Sequence, residues 1–126
     1  MLSQIKVVIR TNYSNPQIHG GTVVAMVLNT PELRAQWEQE LTEMRLRIKA
    51  MRQKLVDGLK AAGVTQDMSF ITEQIGMFSY SGLNKDQMQR LRSEFGVYGT
   101  DAGRMCVAAL NSKNIDYVCA SIAKVM

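Results

Sequence analysis

Two arginines lie in sequence surroundings that suit the binding of a carboxylate. Arg10 joins an apolar segment to the turn-forming residues 12–16, and Arg104 stands between Gly103 and an apolar segment. An arginine presented from a rigid edge beside glycine can hold a carboxylate through two parallel hydrogen bonds from its planar guanidinium. The alternative for each is a surface arginine with an ordinary acidic neighbour. The residues alone leave both interpretations open.

No complete active site of another kind is evident in the sequence. The one histidine, His19, stands beside two glycines and suits a loop or helix start, and no serine has a histidine partner. No paired carboxylates or glycine-rich phosphate loop are found. Cys106 and Cys119 are too far apart to form a ligand pair or a redox dipeptide, so we expect reduced thiols in a cytosolic core and no metal site.

Composition predicts a single folded domain of 126 residues with enough apolar content, 46%, for a core. The net charge of +4 would permit an anionic partner, but basic and acidic residues alternate along the chain. We therefore expect no nucleic-acid partner, and no apolar run is long enough to span a bilayer. The densest basic group, predicted to be a solvated helix face, comprises Arg45, Arg47, Lys49, Arg52 and Lys54. Its alternative is a stand-alone helical module that binds an acidic partner.

Residues 30–63 predict the long helix around which the chain is organised. Thr30 suits the N-cap, Pro31 the first helical position and Gly63 the closing residue. Apolar residues recur at steps of three and four: Leu33, Trp37, Leu41, Met44, Ile48, Met51, Leu55 and Leu59. A helix of about thirty residues is roughly 45 Å long, whereas a compact chain of this size has a radius of gyration of about 14 Å. The helix is therefore expected to lie along a larger body.

Shorter elements are predicted on both sides of this helix, which makes the fold class α+β. Upstream, the pattern predicts helices over 2–9 and 20–28, separated by a turn at 12–16. Downstream, alternation of apolar and polar residues through Phe78–Ser81 predicts a strand with one covered face. The remaining predictions are a helix from Asn84 to Gly96, strands at 97–98 and 105–107, and a last helix from Asn111 or Ser112.

Five short motifs then occur in one order and at sensible spacings. They are Asn12-Tyr13-Ser14-Asn15-Pro16, His19-Gly20, Gly76-Met77-Phe78-Ser79-Tyr80-Ser81-Gly82-Leu83, Glu94-Phe95-Gly96-Val97-Tyr98 and Gly103-Arg104. Together they resemble the C-terminal third of the aspartate and aromatic-amino-acid aminotransferases, pyridoxal-phosphate enzymes of class I. The resemblance runs from Ser3 to Met126. It departs from the family at Pro16-Gln17, where two prolines are usual.

The resemblance implies the small C-terminal domain of the fold-type I pyridoxal-phosphate enzymes, with a long interdomain helix, a small sheet and packing helices. Residues 1–29 would be a remnant of the large domain and its dimer surface, 30–63 the interdomain helix, and 64–126 the rest of the small domain. We therefore expect residues 1–29 to expose apolar side chains.

The resemblance also implies an activity, namely amino-group transfer between an amino acid and a 2-oxo acid in a cytoplasmic homodimer. Arg104 matches the arginine that binds the substrate α-carboxylate. Arg10 matches the arginine that reaches across the dimer to the side-chain carboxylate in the neighbour's site, and Phe78 matches the phenylalanine that walls the pocket. The family's Schiff-base lysine, phosphate-binding arginine and pyridine-binding aspartate match nothing here, so the chain alone is expected to bind no pyridoxal phosphate and to be inactive.

Overall fold

The computed structural model describes residues 1–14 and 17–126, with the side chain of Tyr13 outside the description. Two compact units divide the chain, Met1–Thr42 and Glu43–Met126. The elements in chain order are α1 (Leu2–Tyr13), α2 (Ile18–Asn29), α3 (Pro31–Ala61), α4 (Phe70–Glu73), β1 (Phe78–Tyr80), α5 (Lys85–Phe95), β2 (Arg104–Cys106), a 3-10 turn (Val107–Ala109) and α6 (Ile115–Val125). Helices with a two-stranded sheet confirm the α+β class.

The first unit consists of α1, α2 and the start of α3, and it exposes much apolar surface. No residue of α2 is buried. The expected exposure of apolar side chains in residues 1–29 is confirmed for Leu2, Ile5, Val7, Val8, Ile9, Ile18, Val23, Val24, Met26 and Leu28.

The turn predicted at 12–16 does not include its first two residues. α1 continues through Asn12 and Tyr13, so these two residues are helical. Ser14 then adopts a φ of 61° and a ψ of −69°, which ends the helix without the usual left-handed helical conformation. Asn15 and Pro16, which the predicted turn includes, lie outside the described residues.

The predicted long helix is confirmed in α3, including its end. Gly63 has a φ of 90°, and the Val64 N–H donates to the Leu59 carbonyl at 3.1 Å, which satisfies an end carbonyl of the helix. The apolar stripe changes its surroundings along the helix. Its early members Leu33, Trp37, Leu41 and Met44 are exposed, whereas Met51, Leu55 and Leu59 are buried in the second unit.

The second unit has its own hydrophobic core. The three buried residues at the end of α3 are joined there by Met68, Ile71, Leu83, Met88, Leu91, Met105, Val107, Leu110, Ile115, Val118, Cys119, Ile122 and Val125. The helix predicted from Asn84 to Gly96 is confirmed with a complete capping box, because the Asn84 side chain accepts from the Gln87 N–H while the Gln87 side chain accepts from the Asn84 N–H.

Two predictions for the second unit are wrong, and two predicted strands differ slightly in their bounds. Val97 and Tyr98 form no strand, because the Val97 N–H instead donates to the Leu91 carbonyl at 3.0 Å in the cap of α5. The last helix begins at Ile115 rather than at Asn111 or Ser112, since Asn111 and Asn114 first form a turn of their own. The predicted strand at Phe78–Ser81 is confirmed as β1, which ends at Tyr80. The strand predicted at 105–107 is confirmed one residue earlier, as β2. The short helix α4, which precedes β1, was not predicted.

Close packing between α3 and α6 at Gly58 gives the first testable prediction. A Cβ at Gly58 would lie 2.6 Å from the Cys119 Sγ. The Cys119 thiol is buried, donates to the Leu55 carbonyl at 3.7 Å, and has a pKa raised to about 11 by burial and then by Asp116. Gly58→Ala should therefore lower the free energy of unfolding by about 1–2 kcal/mol in urea titrations, although alanine favours helix.

A second substitution tests that explanation. In a Cys119→Ala background the sulfur is absent, so adding Gly58→Ala there should cost much less than it does in the parent chain. Gly21→Ala in α2, where nothing lies within 4 Å, should be neutral or stabilising by up to about 1 kcal/mol. An unchanged stability in Gly58→Ala would contradict the close contact.

Candidate functional site

The candidate site is one face of the β1–β2 ribbon. The two strands are antiparallel, with Phe78 opposite Cys106, Ser79 opposite Met105 and Tyr80 opposite Arg104. Side chains alternate between the two faces of a strand. The outer face carries Phe78 and Tyr80, which are 47% and 56% exposed, together with the exposed Arg104 and the half-buried Cys106.

Arg104 and Phe78, both singled out in the sequence, are brought together on this outer face. The guanidinium carbon of Arg104 lies 5.0 Å from the centroid of the Phe78 ring, which is within the range of a cation–π contact. Among the described residues the Arg104 guanidinium has no hydrogen-bond or carboxylate partner. Its planar fork is therefore available to a carboxylate from outside.

The acid closest to Arg104 in sequence is bound elsewhere. Asp101 pairs with Arg92, and the hydrogen bonds from Arg92 and then Gln89 hold the pKa of its carboxyl below the usual range. A second exposed pair joins Arg90 to Glu94 at 2.8 Å. Asp101 and Glu94 thus neutralise arginines on α5 and not Arg104.

A tight turn presents Arg104 to the outer face. Gly103 has a φ of 85°, and its N–H donates to the Thr100 carbonyl at 2.9 Å. The Arg104 N–H donates to the Thr100 Oγ1 at 3.1 Å, and the Thr100 N–H donates to the Arg104 carbonyl at 3.0 Å. Because the backbone of Arg104 is bound on both sides, its side chain starts from a fixed position.

The inner face of the ribbon confirms the prediction of a strand with one covered face, and the covered residues are the serines. Ser79 and Ser81 are buried while the aromatic residues beside them are exposed. Ser81 donates through both its N–H and its hydroxyl to the Gly103 carbonyl, each at 2.8 Å. The two serines can be buried because they meet hydrogen-bonding groups on the inner face.

The most important of these groups is Arg52, which the sequence placed on a solvated helix face. That prediction is wrong for Arg52, which is only 3% exposed. Its Nη1 donates to the Ile71 carbonyl at 3.1 Å and the Ser79 Oγ at 2.9 Å, and its Nη2 donates to the carbonyls of Gly76 and Phe78 at 2.8 Å each. Burial lowers the pKa of Arg52, but an arginine remains charged.

Two further side chains bind backbone groups, one within the ribbon and one beyond the end of β2. The Gln74 Oε1 accepts from the Ser79 hydroxyl and from the Tyr80 N–H, both at 2.8 Å. Arg47, also predicted to be solvated, donates to the carbonyls of Ala108 and Leu110 at 2.9 and 3.0 Å. No sequence signal separated these buried or bonded arginines from their exposed neighbours Arg45, Lys49 and Lys54.

Arg10, the other arginine singled out in the sequence, belongs to the first unit. It lies in the last turn of α1 with an exposed side chain, and the described residues offer it no acidic partner. Its carbonyl accepts from the Ser14 N–H at 3.2 Å. Within its own unit, the Arg10 guanidinium is thus also open to an external carboxylate.

The described residues form no site for pyridoxal phosphate. Such a cofactor needs an enclosed lysine and groups that bind its phosphate. The lysines are all exposed: Lys6, Lys49, Lys54, Lys60, Lys85, Lys113 and Lys124. Lys60 borders an open cavity of about 410 Å³, but the lining includes Asp67 and no arginine.

Metal-binding clusters and membrane-spanning helices are both absent from residues 1–14 and 17–126. This part of the chain holds no group of three or more His, Cys, Asp or Glu side chains arranged for a metal ion. None of its helices combines the length and the apolar character that a membrane crossing requires.

Comparisons with known proteins agree in both sequence and structure. The model of the family described as aminotransferase class I and II matches residues 1–122. The aspartate aminotransferase of Pseudomonas aeruginosa is 57% identical over 126 residues, which cover 100% of this chain and 32% of that protein. The aromatic-amino-acid aminotransferase of Escherichia coli is 48% identical, again covering 100% of this chain and 32% of that protein.

A solved structure also matches this chain closely. The aromatic-amino-acid aminotransferase from Burkholderia pseudomallei, covalently bound to pyridoxal phosphate, matches with a TM-score of 0.94 and 64% identity. The match covers 98% of this chain and 31% of that one. The chain therefore spans about a third of the length of the relatives it matches.

Proposed function

The chain belongs to the class I and II aminotransferase family, and we propose that it forms the C-terminal region of an enzyme that transfers an amino group between an amino acid and a 2-oxo acid. Relatives named for aspartate and for aromatic amino acids both support this class of substrate. The alternative, a helical module for an acidic partner, has no support in the comparisons, and two arginines of its basic face bind backbone carbonyls.

In this proposal Arg104 binds the substrate α-carboxylate and Phe78 forms a wall of the pocket. The observation that carries it is the Arg104 guanidinium held 5.0 Å from the Phe78 ring without a carboxylate partner among the described residues. An aromatic wall excludes water from one side of the guanidinium, which strengthens its attraction for an anion. The substrate would be oriented by two parallel hydrogen bonds.

Arg10 is proposed to act in the neighbouring subunit of a homodimer, where it would bind the side-chain carboxylate of a dicarboxylic substrate. Its open guanidinium in α1 supports this role. The apolar surface of the first unit supports an extensive partner surface there, as does the family resemblance. We further propose that residues 1–29 belong to the large domain, 30–63 to the interdomain helix and 64–126 to the small domain.

Pyridoxal phosphate, when bound in the parent enzyme, supplies the electron-accepting ring that amino-group transfer requires. We propose that residues outside this chain hold it, because every lysine of the chain is exposed. The chain's own residues would bind and orient the substrate and keep water from the Arg104 carboxylate contact. A cytoplasmic location for the parent enzyme stays a prediction.

The experiment is a chimaera in which this chain replaces the matching third of the P. aeruginosa aspartate aminotransferase. We expect the purified chimaera to bind pyridoxal phosphate and to transaminate aspartate within about tenfold of that enzyme, because tolerated core and surface differences cost little when the fold is kept. The 126-residue chain alone should show no cofactor absorbance and no turnover. A folded, cofactor-loaded chimaera without turnover would refute the proposed function, and turnover by the isolated chain would refute its dependence on other parts.

A further inference from the structure

We propose that Arg52 is a positioning residue for the carboxylate site, because it fixes the backbone that carries Phe78 against Arg104. This inference rests on the proposed function, in which Arg104 and Phe78 contact the substrate. Arg52 itself faces the other way, into the core of the second unit, and would act only through β1.

The four acceptors of Arg52 all belong to the segment that enters β1. They are the Ile71 carbonyl in α4, the Gly76 carbonyl in the connecting turn, and the Phe78 carbonyl and Ser79 hydroxyl in the strand. Residues 74–77 between α4 and β1 form no regular helix or strand. One guanidinium therefore ties together three parts of a connection that lacks a hydrogen-bond ladder of its own.

The charge of Arg52 makes these contacts strong and hard to replace. None of its acceptors is a carboxylate, so the cation is solvated by carbonyl oxygens and a hydroxyl. Hydrogen bonds from an ionised donor are about twice as strong as neutral ones. An apolar residue here would leave several buried carbonyls without that donor, and the connection would be free to shift.

Phe78 links Arg52 to the candidate site. Its carbonyl accepts from Arg52 at 2.8 Å, while its ring contacts Arg104 at 5.0 Å. The next residue, Ser79, receives a hydrogen bond from Arg52 and lies opposite Met105, beside Arg104. A movement of β1 would thus change the ring contact and the direction of the Arg104 side chain together.

Arg47 provides a matched control on the same helix. It too donates to two backbone carbonyls, but those belong to Ala108 and Leu110, beyond the end of β2. Replacing either arginine by lysine keeps the charge and removes the fork. Arg52 contacts the connection that carries Phe78 directly, whereas Arg47 reaches it only through Ala108, whose N–H donates to the Met77 carbonyl at 3.3 Å.

The test compares Arg52→Lys, Arg52→Met and Arg47→Lys in the chimaera. Because a displacement of about 1 Å at a binding group can cost up to about 100-fold, we expect KM for aspartate to rise about tenfold in Arg52→Lys and more in Arg52→Met. In the Arg52 variants kcat should stay within about threefold, because substrate binding and not the chemical step is weakened. Arg47→Lys should leave KM within about twofold. Unchanged KM in Arg52→Lys would overturn the proposal, as would an equal rise in Arg47→Lys.

A second readout uses the 126-residue chain by NMR and needs no activity. The ring current of Phe78 should displace the δ-methylene protons of Arg104, and Arg52→Lys should move them toward the value of an arginine without a ring contact. If the Arg104 resonance does not move in Arg52→Lys, the positioning role is overturned, whether or not the chimaera is active. If the chimaera without substitutions is inactive, that result counts against the proposed function alone. Where Arg52→Met does not fold, Arg52→Lys decides.

Discussion

Arg104→Lys should lower kcat/KM of the chimaera for aspartate and for phenylalanine about 100- to 1,000-fold. Lysine keeps the positive charge but offers a point charge instead of the planar fork that matches a carboxylate. A loss of about 3–4 kcal/mol of binding to a largely desolvated carboxylate corresponds to this fold-change. Steady-state kinetics with each substrate measures it. The decrease in kcat/KM should be similar for both substrates, because both carry the α-carboxylate.

Two other arginine substitutions separate this role from general effects. Arg90→Lys changes an exposed pair on α5 in the same unit, and it should leave kcat/KM within about twofold. Arg10→Ala should lower kcat/KM for aspartate much more than for phenylalanine, since only aspartate has a side-chain carboxylate. Equal kinetics of Arg104→Lys and Arg90→Lys would rule out the assignment of Arg104.

Gly103→Ala should be the most damaging small substitution in the second unit, lowering the free energy of unfolding by about 2–4 kcal/mol. At a φ of 85° a side chain is strained, and its Cβ would also lie 2.7 Å from the Leu83 carbonyl oxygen. That oxygen belongs to the backbone and cannot rotate away. Urea unfolding of the 126-residue chain, followed by circular dichroism, measures the loss.

Comparison with Gly63→Ala separates the steric part of this loss from the backbone strain. Gly63 has a similar φ of 90°, but a Cβ added there would meet nothing within 4 Å. Its substitution should cost only the backbone strain, about 1–2 kcal/mol. If the two alanine variants lost equal stability, the contact between a Cβ at residue 103 and the Leu83 carbonyl oxygen would contribute nothing, and this explanation of the loss would be wrong.

Most helices of this chain were predictable because their signals are local, whereas the four-residue α4 was not predicted. Asn84 and Gln87 form a capping box within one turn, and Gly96 and Gly63 adopt the left-handed conformation that their positions indicate. The long apolar stripe likewise needs only a 3.6-residue period. The length of α3 predicted that it lies along a larger body, and the exposure of its early apolar residues, such as Trp37, is consistent with that prediction.

The inner side of the ribbon was not predictable, because its contacts join distant parts of the chain. Arg52 lies 19 to 27 positions from its acceptors, and nothing beside it in sequence distinguishes it from the exposed Lys54. The same contacts determine which face of the strand is covered, since the buried Arg52 guanidinium donates to the Ser79 hydroxyl on the inner face. The strand predicted at Val97 failed for a similar reason, because its N–H completes the end of α5.

The pairing of Arg104 with Phe78 combined both kinds of information. The family motifs nominated the two residues, whereas their contact depends on the register that places Tyr80 opposite Arg104. Arg10 was nominated in the same way, and its described surroundings in α1 leave its guanidinium exposed. Its role depends on a partner subunit and stays a prediction.

The most direct test of the central claim is a crystal structure of the chimaera with a non-reactive dicarboxylate analogue of aspartate. We expect one carboxylate to lie beside Phe78 with both oxygens within about 2.7–3.1 Å of the Arg104 guanidinium nitrogens, the geometry of a bidentate pair. A bound analogue whose carboxylates both contact other groups, with Arg104 directed into solvent, would contradict the claim.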